Sequence, residues 1–417
     1  MSSRRNAVYA LLVAALLTGL FTGRAFFFTL AYLFGGLLFV SLVWAWISVR
    51  WLTISRKTRA RRAQVGRKLE ETFVIHNRSI LPKLWLEVRD HSTLPSHYAS
   101  HVVPALGGRK RYQWTVETLC LVRGEFELGP VTLKSGDPFG FFLSPRHLDA
   151  TSKVIVYPQT IPINHIDLPI GQMSGGDAQR RRSHNITTNA SGVRDYVSGD
   201  SFNRIHWSST ARKDRLIVKE FEIDPLVDIW LFVDLSSSSI VDDPLLQRTG
   251  PNRSIVANST GIPPSTEEYA VVVAASMSKY FIDSERALGF AAYVPNREIL
   301  QPEHGNRQLN RILQTLAVAR SLTTYTLGQM LALETPYFTR GTTLVIITSS
   351  LDPNWVTEAQ ILSRRGIRPM CILIDPYSFG GNKPAAELTA LLQLARIPTV
   401  TIKKNDDIGA VLAQRSI

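Results

Sequence analysis

The sequence predicts a multidomain chain with an N-terminal transmembrane helical hairpin, an all-β sandwich and a doubly wound α/β domain. Three observations carry that expectation. The first fifty residues hold two uncharged apolar runs separated by Gly23-Arg24. Residues 67–160 alternate apolar and polar positions between turns spaced about 8 to 12 residues apart, the pattern of a β-sandwich. From residue 226 onward, short continuous apolar runs alternate with helical stretches, which pack most simply as a sheet covered by helices. A chain of 417 residues is long enough for two or three such domains, each with its own core.

Taken in order, Ala7 to Thr22 (AVYALLVAALLTGLFT) and Ala25 to Val49 (AFFFTLAYLFGGLLFVSLVWAWISV) carry no charge. A bilayer core asks for roughly 20 apolar residues and at least about 17, so the second run is long enough and the first is marginal. Trp44, Trp46 and Trp51 lie near the end of the second run, where amphipathic rings favour the membrane interface. Arg50, Arg56, Lys57, Arg59, Arg61 and Arg62 follow, and residues 51–66 read as a basic juxtamembrane segment. Two topologies fit: a helical hairpin over residues 1–50, or a cleaved signal segment followed by one anchor. Both keep the C-terminal side in the cytoplasm, because Lys and Arg beside a span are retained on the inner face. No small-x-small cleavage site stands out around Thr22 to Ala25, which favours the hairpin.

The net charge of +13 suggests nucleic acid until it is located. Residues 1–68 contain eleven Arg and Lys and no acid, leaving only +2 for the rest. The basicity belongs beside the lipid bilayer, and no nucleic-acid partner is expected. Two cysteines, Cys120 and Cys371, suit reduced thiols better than a disulfide framework.

Within residues 67–160 the segments TFVIHN, LWLEVRD, YQWTVETL and GPVTLKS read as strands of a small immunoglobulin-like module. Residues 161–191 then turn polar and read as a linker, in which Arg180-Arg181-Arg182 is a solvated charge run.

Residues 192–225 hold the densest group of unusual residues. Gly192 to Glu222 reads GVRDYVSGDSFNRIHWSSTARKDRLIVKEFE. Ser198-Gly199-Asp200 is a turn signal, and LIVKEFEI alternates like a strand. Arg194 and Arg212 are of the type that holds a carboxylate through two parallel hydrogen bonds. His206 lacks partners at metal-ligand spacing.

The pattern R-D-Y-x-x-G-D-x-x-x-R-I-x-W-x-x-x-A-R-x-x-x-L-x-V resembles the signature of the bacterial and archaeal family called domain of unknown function 58. It is carried here by Arg194, Asp195, Tyr196, Gly199, Asp200, Arg204, Trp207 and Arg212. The resemblance implies two membrane spans, a small β domain and a von Willebrand factor A-like domain at a bacterial plasma membrane. It brings no known reaction. Members are commonly encoded beside AAA ATPases of the MoxR type, which implies such an ATPase as partner in assembling or maturing membrane or envelope proteins.

In residues 226–417, the apolar run LVDIWLFV ends in Asp234-Leu-Ser-Ser-Ser-Ser. Helices are expected over 267–283, 307–320, 355–365, 385–394 and 408–414, and strands over 287–294, 342–348, 370–375 and 399–402. Asp234-x-Ser236-x-Ser238 resembles the first element of the metal-ion-dependent adhesion site of von Willebrand A domains. Such a loop offers hard oxygens to Mg²⁺. The resemblance implies a further Thr, for which Thr324 and Thr326 are both available, and a second Asp, where Ser349 stands with Asp352 nearby.

No phosphate loop, nucleophile elbow or H-E-x-x-H is present, which disfavours a conventional ATPase, serine hydrolase or zinc protease. The expectation is a membrane-anchored interaction protein whose signature residues, His206 included, stabilise or present a partner-binding surface. The competing expectation is a metal-dependent enzyme built on Asp200, Arg204 and His206.

Overall fold

The computed structural model describes residues 2–166, 190–197, 202, 205–221, 228–242, 261–294 and 296–413. The chain divides into two compact units. One comprises residues 1–160, 242–275 and 313–320, and the other residues 161–241, 276–312 and 321–417.

The first unit begins with α1 (Ser2–Thr22) and α2 (Ala25–Ser48), which turn at Gly23 in the left-handed region. Residues Arg4–Thr22 and Ala25–Ser48 are long and apolar enough to cross a membrane. Both helices are largely exposed along their apolar lengths.

The stretch expected to be a juxtamembrane segment is strand instead. β1 (Leu52–Thr58) pairs antiparallel with β3 (Lys68–Asn77), and β2 (Arg62–Gln64) lies between them in sequence. Leu52 and Ile54 face the core, and Arg56 is buried against carboxylates, so the basic run hides a period-two pattern. The β region thus starts at Leu52 rather than at residue 67. It continues through β4 (Lys83–Asp90), β5 (His101–Leu106), β6 (Arg111–Leu119), β7 (Gly124–Leu128), β8 (Val131–Gly136), β9 (Leu143–Leu148) and β10 (Ser152–Tyr157).

Sheets β1-β3-β6 and β5-β4-β8-β9 share one core, with Phe73, Ile75, Leu86, Val88, Val103 and Leu133 fully buried. A third sheet, β2-β10-β7, has its own smaller core around Cys120, Leu128 and Val154. Arg123 joins this β region to the other segments of the unit. Its Nε and Nη2 donate to Glu268 and Glu267, and its Nη1 donates to the carbonyls of Leu316 and Ala319. A guanidinium buried this completely is tolerated because its donors meet two carboxylates and the carbonyl end of a helix.

In the second unit, β11 (Ala190–Asp195) and β12 (Ile217–Phe221) form an antiparallel pair, with α3 (Trp207–Lys213) between them. The main sheet contains β13 (Ile229–Val233), β14 (Leu288–Val294), β15 (Asn296–Glu303), β16 (Thr343–Thr348), β17 (Arg368–Ile374) and β18 (Thr399–Ile402). Its order is β15-β14-β13-β16-β17-β18, all parallel except β15. The buried strands read as continuous apolar runs because helices cover such a sheet. Gly289 on β14 admits the indole of Trp230, since a Cβ there would lie 2.6 Å from it.

The helices are α4 (Thr266–Asp283), α5 (Asn306–Val318), α6 (Leu327–Glu334), α7 (Asn354–Arg364), α8 (Ala386–Leu394) and α9 (Ile408–Ala413), with α4 and α5 each spanning the division between the units. Trp355 and Ala359 of α7 and Met330 of α6 pack with Trp230, Phe232 and Ile346 in one core. The sequence reading missed α6 and β15. The second is a polar edge strand containing Pro302, whose residues show little alternation.

Candidate functional site

Strand β13 is apolar throughout and buried, so the first polar residue after it marks its carboxyl end. That residue is Asp234. β13 and β16 are neighbours, but the chain leaves β13 toward β14 on one side and β16 toward β17 on the other. Their carboxyl ends therefore form a topological switch point, the place where open α/β sheets bind ligands.

Asp234 is fully buried there. Its N–H donates to Ile347 O at 2.9 Å, which fixes the residue to the end of β16. Its Oδ1 accepts from the Ser236 N–H at 2.9 Å, and its Oδ2 accepts from the Thr348 hydroxyl at 2.6 Å. The Ser349 hydroxyl donates to Ser239 O at 2.8 Å, closing the turn from the β16 side. The Ser236 and Ser239 hydroxyls lie 2.9 Å apart, and Ser239 donates back to Ser236 O. Ser237 N–H donates to Thr323 O at 2.9 Å, bringing the loop before α6 against the turn.

Among the described residues no cation pairs with Asp234. Burial pushes its carboxyl up from the usual carboxylate range, and the hydrogen bonds from Thr348 and Ser236 only partly oppose this.

Asp234 and Ser236 meet in the turn through the Ser236 N–H, and the other candidate ligands lie elsewhere. Ser238 is exposed, and the neighbouring Ser239 is the buried hydroxyl. Thr324 is exposed, Thr323 makes the contact to the turn, and Thr326 caps α6 by accepting from Gln329 N–H. Asp352 accepts from Asn354 N–H at the start of α7. The oxygens at the turn are one carboxylate, with both oxygens already engaged, and neutral hydroxyls. A divalent cation wants several charged or free oxygens, so this donor set does not fit Mg²⁺ as it stands. Among the described residues no three His, Cys, Asp or Glu side chains form a metal-binding group.

The signature residues are positioned by the β11–α3–β12 unit. Tyr196 N–H donates to Leu216 O, and His206 N–H donates to Ile217 O at 2.8 Å, so the segment before α3 is tied to the start of β12. His206 Nδ1 lies 2.7 Å from Ser209 Oγ. The Tyr196 ring stacks on Phe202, with centroids 6.1 Å apart. Asp195 pairs with Arg215 at 3.0 Å on the surface. Trp207 and Arg212 are exposed on α3, and Arg194 is placed on β11. Gly199, Asp200 and Arg204, like Arg180-Arg181-Arg182, lie outside the described residues, so of the expected Asp200, Arg204 and His206 cluster only His206 is placed.

Sequence reasoning missed Thr348, Ser239 and Thr323. The signal for Thr348 was its place as the last residue of an apolar strand run, a strand separated from β13 by two others in sequence but adjacent to it in the sheet.

The chain is similar to several known proteins. An uncharacterized protein, YeaD, of Bacillus subtilis strain 168 is 22% identical over 215 residues, which are 50% of this chain and 54% of that protein. The match thus spans about half the length of each. Among solved structures, the pilus adhesin SpaC of Lactobacillus rhamnosus GG superposes with a TM-score of 0.32 at 13% identity, over 45% of this chain and 29% of that one. Proximal thread matrix protein 1 of the mussel byssus superposes with a TM-score of 0.30 at 14% identity, over 46% and 47%. Both scores are too low to place this chain in either fold. Residues 192–246, which include the signature and the Asp234 turn, match the family described as protein of unknown function DUF58.

Proposed function

We propose that the chain is a membrane-anchored interaction protein. In this reading α1 and α2 form a hairpin in a bacterial plasma membrane with the remaining domains in the cytoplasm. The β region is an immunoglobulin-like module, and the α/β unit is a von Willebrand A-like domain that binds a protein partner at the carboxyl end of its sheet.

One observation carries the proposal. The loop hydrogen-bonded to the Asp234 turn presents Leu322, 66% exposed, and Tyr325, 50% exposed, beside a rigid polar floor. Apolar and aromatic side chains on a fixed support are the composition of a binding hot spot. The floor itself contains hydroxyls and one carboxylate.

The partner that the family resemblance implies is a MoxR-type AAA ATPase. The enzyme alternative, with Asp200, Arg204 and His206 as its centre, has His206 as its one described member, and that side chain contacts Ser209 within the same helical turn. The test is direct binding of the purified full chain, in lipid nanodiscs, to a purified MoxR-type ATPase. Leu322→Asp and Tyr325→Asp are each expected to weaken binding about tenfold or more, equivalent to about 1.4 kcal/mol, whereas His206→Ala leaves it unchanged. Absence of binding rejects this partner, and binding indifferent to both loop variants rejects the proposed surface.

A further inference from the structure

The exit of the second apolar helix from its span is not a free linker. Lys83, almost fully buried on β4, donates from Nζ to the Ile47 carbonyl at 2.6 Å. Arg146 on β9 donates to Val49 O at 3.1 Å and Leu52 O at 3.3 Å. Two cations therefore cap the carbonyl end of α2, where the helix dipole favours positive charge. Arg78 N–H also donates to Trp51 O at 2.9 Å. The last turn of α2 is thus tied to β4, β9 and the turn after β3.

Two rigid apolar tips surround that junction. The turn after β3 is held by Asn77, whose Nδ2 donates to Leu81 O and Gly107 O and whose Oδ1 accepts from Ser79 N–H. It seats so closely on the neighbouring loop that a Cβ at Gly108 would lie 1.9 Å from Ile80 O. The loop after β8 is held by Asp137, which accepts from the N–H groups of Phe139 and Phe142 at 3.0 Å and 2.6 Å. Its Phe139 and Phe141 rings stack.

Despite this rigidity, both tips leave large apolar groups outside: Ile80 is 75% exposed and Phe139 51% exposed. Trp51 and Trp85 are also exposed and sit at φ 55° and 51°. The left-handed region is costly for such bulky residues and persists where the surrounding structure holds it, often for function. Arg5, at the start of α1, lies over the Phe142 ring, and Arg50 lies over Trp46, so basic and aromatic groups interleave around the junction.

We propose that these two tips and the helix exits form one face that rests in the headgroup layer of the membrane, so that the lipid surface, and not a protein, covers Ile80, Trp85 and Phe139. The face continues the apolar helices, and its aromatic and cationic groups match the interfacial zone of an anionic bilayer. Its consequence is that the β region stands at a fixed angle to the membrane. This inference rests on the anchoring reading given under Proposed function.

The test uses the full chain in vesicles of phosphatidylethanolamine and phosphatidylglycerol, with a nitroxide attached at a single exposed cysteine. The native Cys120 and Cys371 are buried and do not compete for label. Variants Ile80→Cys and Phe139→Cys are compared with Leu20→Cys in α1 and Tyr98→Cys, which follows the far end of β4. The readout is accessibility to oxygen, which partitions into lipid, relative to a water-soluble nickel chelate. Position 20 is expected to be lipid-like, position 98 aqueous, and positions 80 and 139 to show an oxygen-to-chelate ratio several-fold above that at 98. An aqueous label at 20 rejects the anchor itself. A lipid-like label at 20 with aqueous labels at 80 and 139 overturns the docking face alone, as does shielding of 80 and 139 from both reagents, which would place a protein there.

Discussion

Two groups of buried carboxylates among the described residues are treated in opposite ways. In the β region, Glu71 and Asp90 share the interior with Arg56 and His97. Arg56 pairs with Asp90, and His97 Nε2 lies 3.1 Å from Glu71 and 3.3 Å from Asp90. In the α/β unit, the Asp234 carboxylate accepts from the Thr348 hydroxyl and the Ser236 N–H. Two carboxylates facing two cations form a compensated group with no demand for a further ligand. A lone buried carboxylate held by neutral donors keeps its desolvation cost.

The largest expected effect comes from breaking the compensated group. Arg56→Met or His97→Ala leaves buried charge unpaired and should cost about 3–5 kcal/mol, read as the change in unfolding midpoint and slope of the detergent-solubilised chain. The same group gives a pH signature. Burial opposes charging of His97, but the carboxylates of Asp90 and Glu71 outweigh it and raise its pKa from 6.5 to about 9. A cation with a raised folded pKa stabilises fully below its unfolded value and loses that contribution as pH climbs through the folded one. Stability should therefore fall between pH 6.5 and about 9, and His97→Gln should flatten that decline. An unchanged decline in the variant would remove His97 from the compensated group.

At the lone carboxylate the effect should be smaller and of the same pH sign, but set in the carboxylate rather than the imidazole range. Asp234→Ala strands the Ser236 N–H and the Thr348 hydroxyl in the interior, which costs about 1–3 kcal/mol. Asp234→Asn keeps an acceptor and a polar partner and should cost less. Because the Asp234 pKa is raised, its folded-state contribution is complete below the unfolded value and declines as pH rises toward the folded one. The Asn variant should lose that decline and compare best with wild type at neutral pH. Equal losses for Ala and Asn across pH would mean that the charge at 234 is immaterial.

The smallest effect should come from the exposed Asp195–Arg215 pair of the signature segment. Arg215→Ala should change stability by less than about 1 kcal/mol, and less still at high salt, because solvent screens such a pair. A larger loss in the same unfolding measurement would give the signature a structural role that its exposed geometry does not explain.

Much of this organisation was legible in the residues. The uncharged runs over 7–22 and 25–49 marked α1 and α2, and LVDIWLFV, TTLVIIT and MCILI marked the parallel strands, because a strand covered on both faces must be apolar at every position. The Asp234 turn was legible as a loop at a strand end. Its closure by Thr348 was not, because the two residues are 114 apart and meet only through the register of β13 with β16. The resemblance drew attention to Ser238 and Thr324, while the backbone turned Ser239 and Thr323 inward instead. The compensated group was hidden for another reason. Arg56 belongs to a run of basic residues that reads as membrane-proximal charge, and nothing local to it shows that one Arg of that run faces inward. Lys83 was equally silent, since a lysine in KLWLEV reads as an exposed strand residue until its carbonyl partner on α2 is seen.

The most direct test of a hydroxyl-closed, cation-free Asp234 turn is thermal unfolding of the full chain with and without Mg²⁺, in wild type and in Ser349→Asp. A ligand bound only by the native state stabilises it by about 2.7 kcal/mol at a hundred times its dissociation constant. The account expects no Mg²⁺-dependent shift in wild type, and a shift in Ser349→Asp that adding Asp234→Asn abolishes. A shift in wild type that disappears in Asp234→Asn would contradict it and make the turn a working metal site.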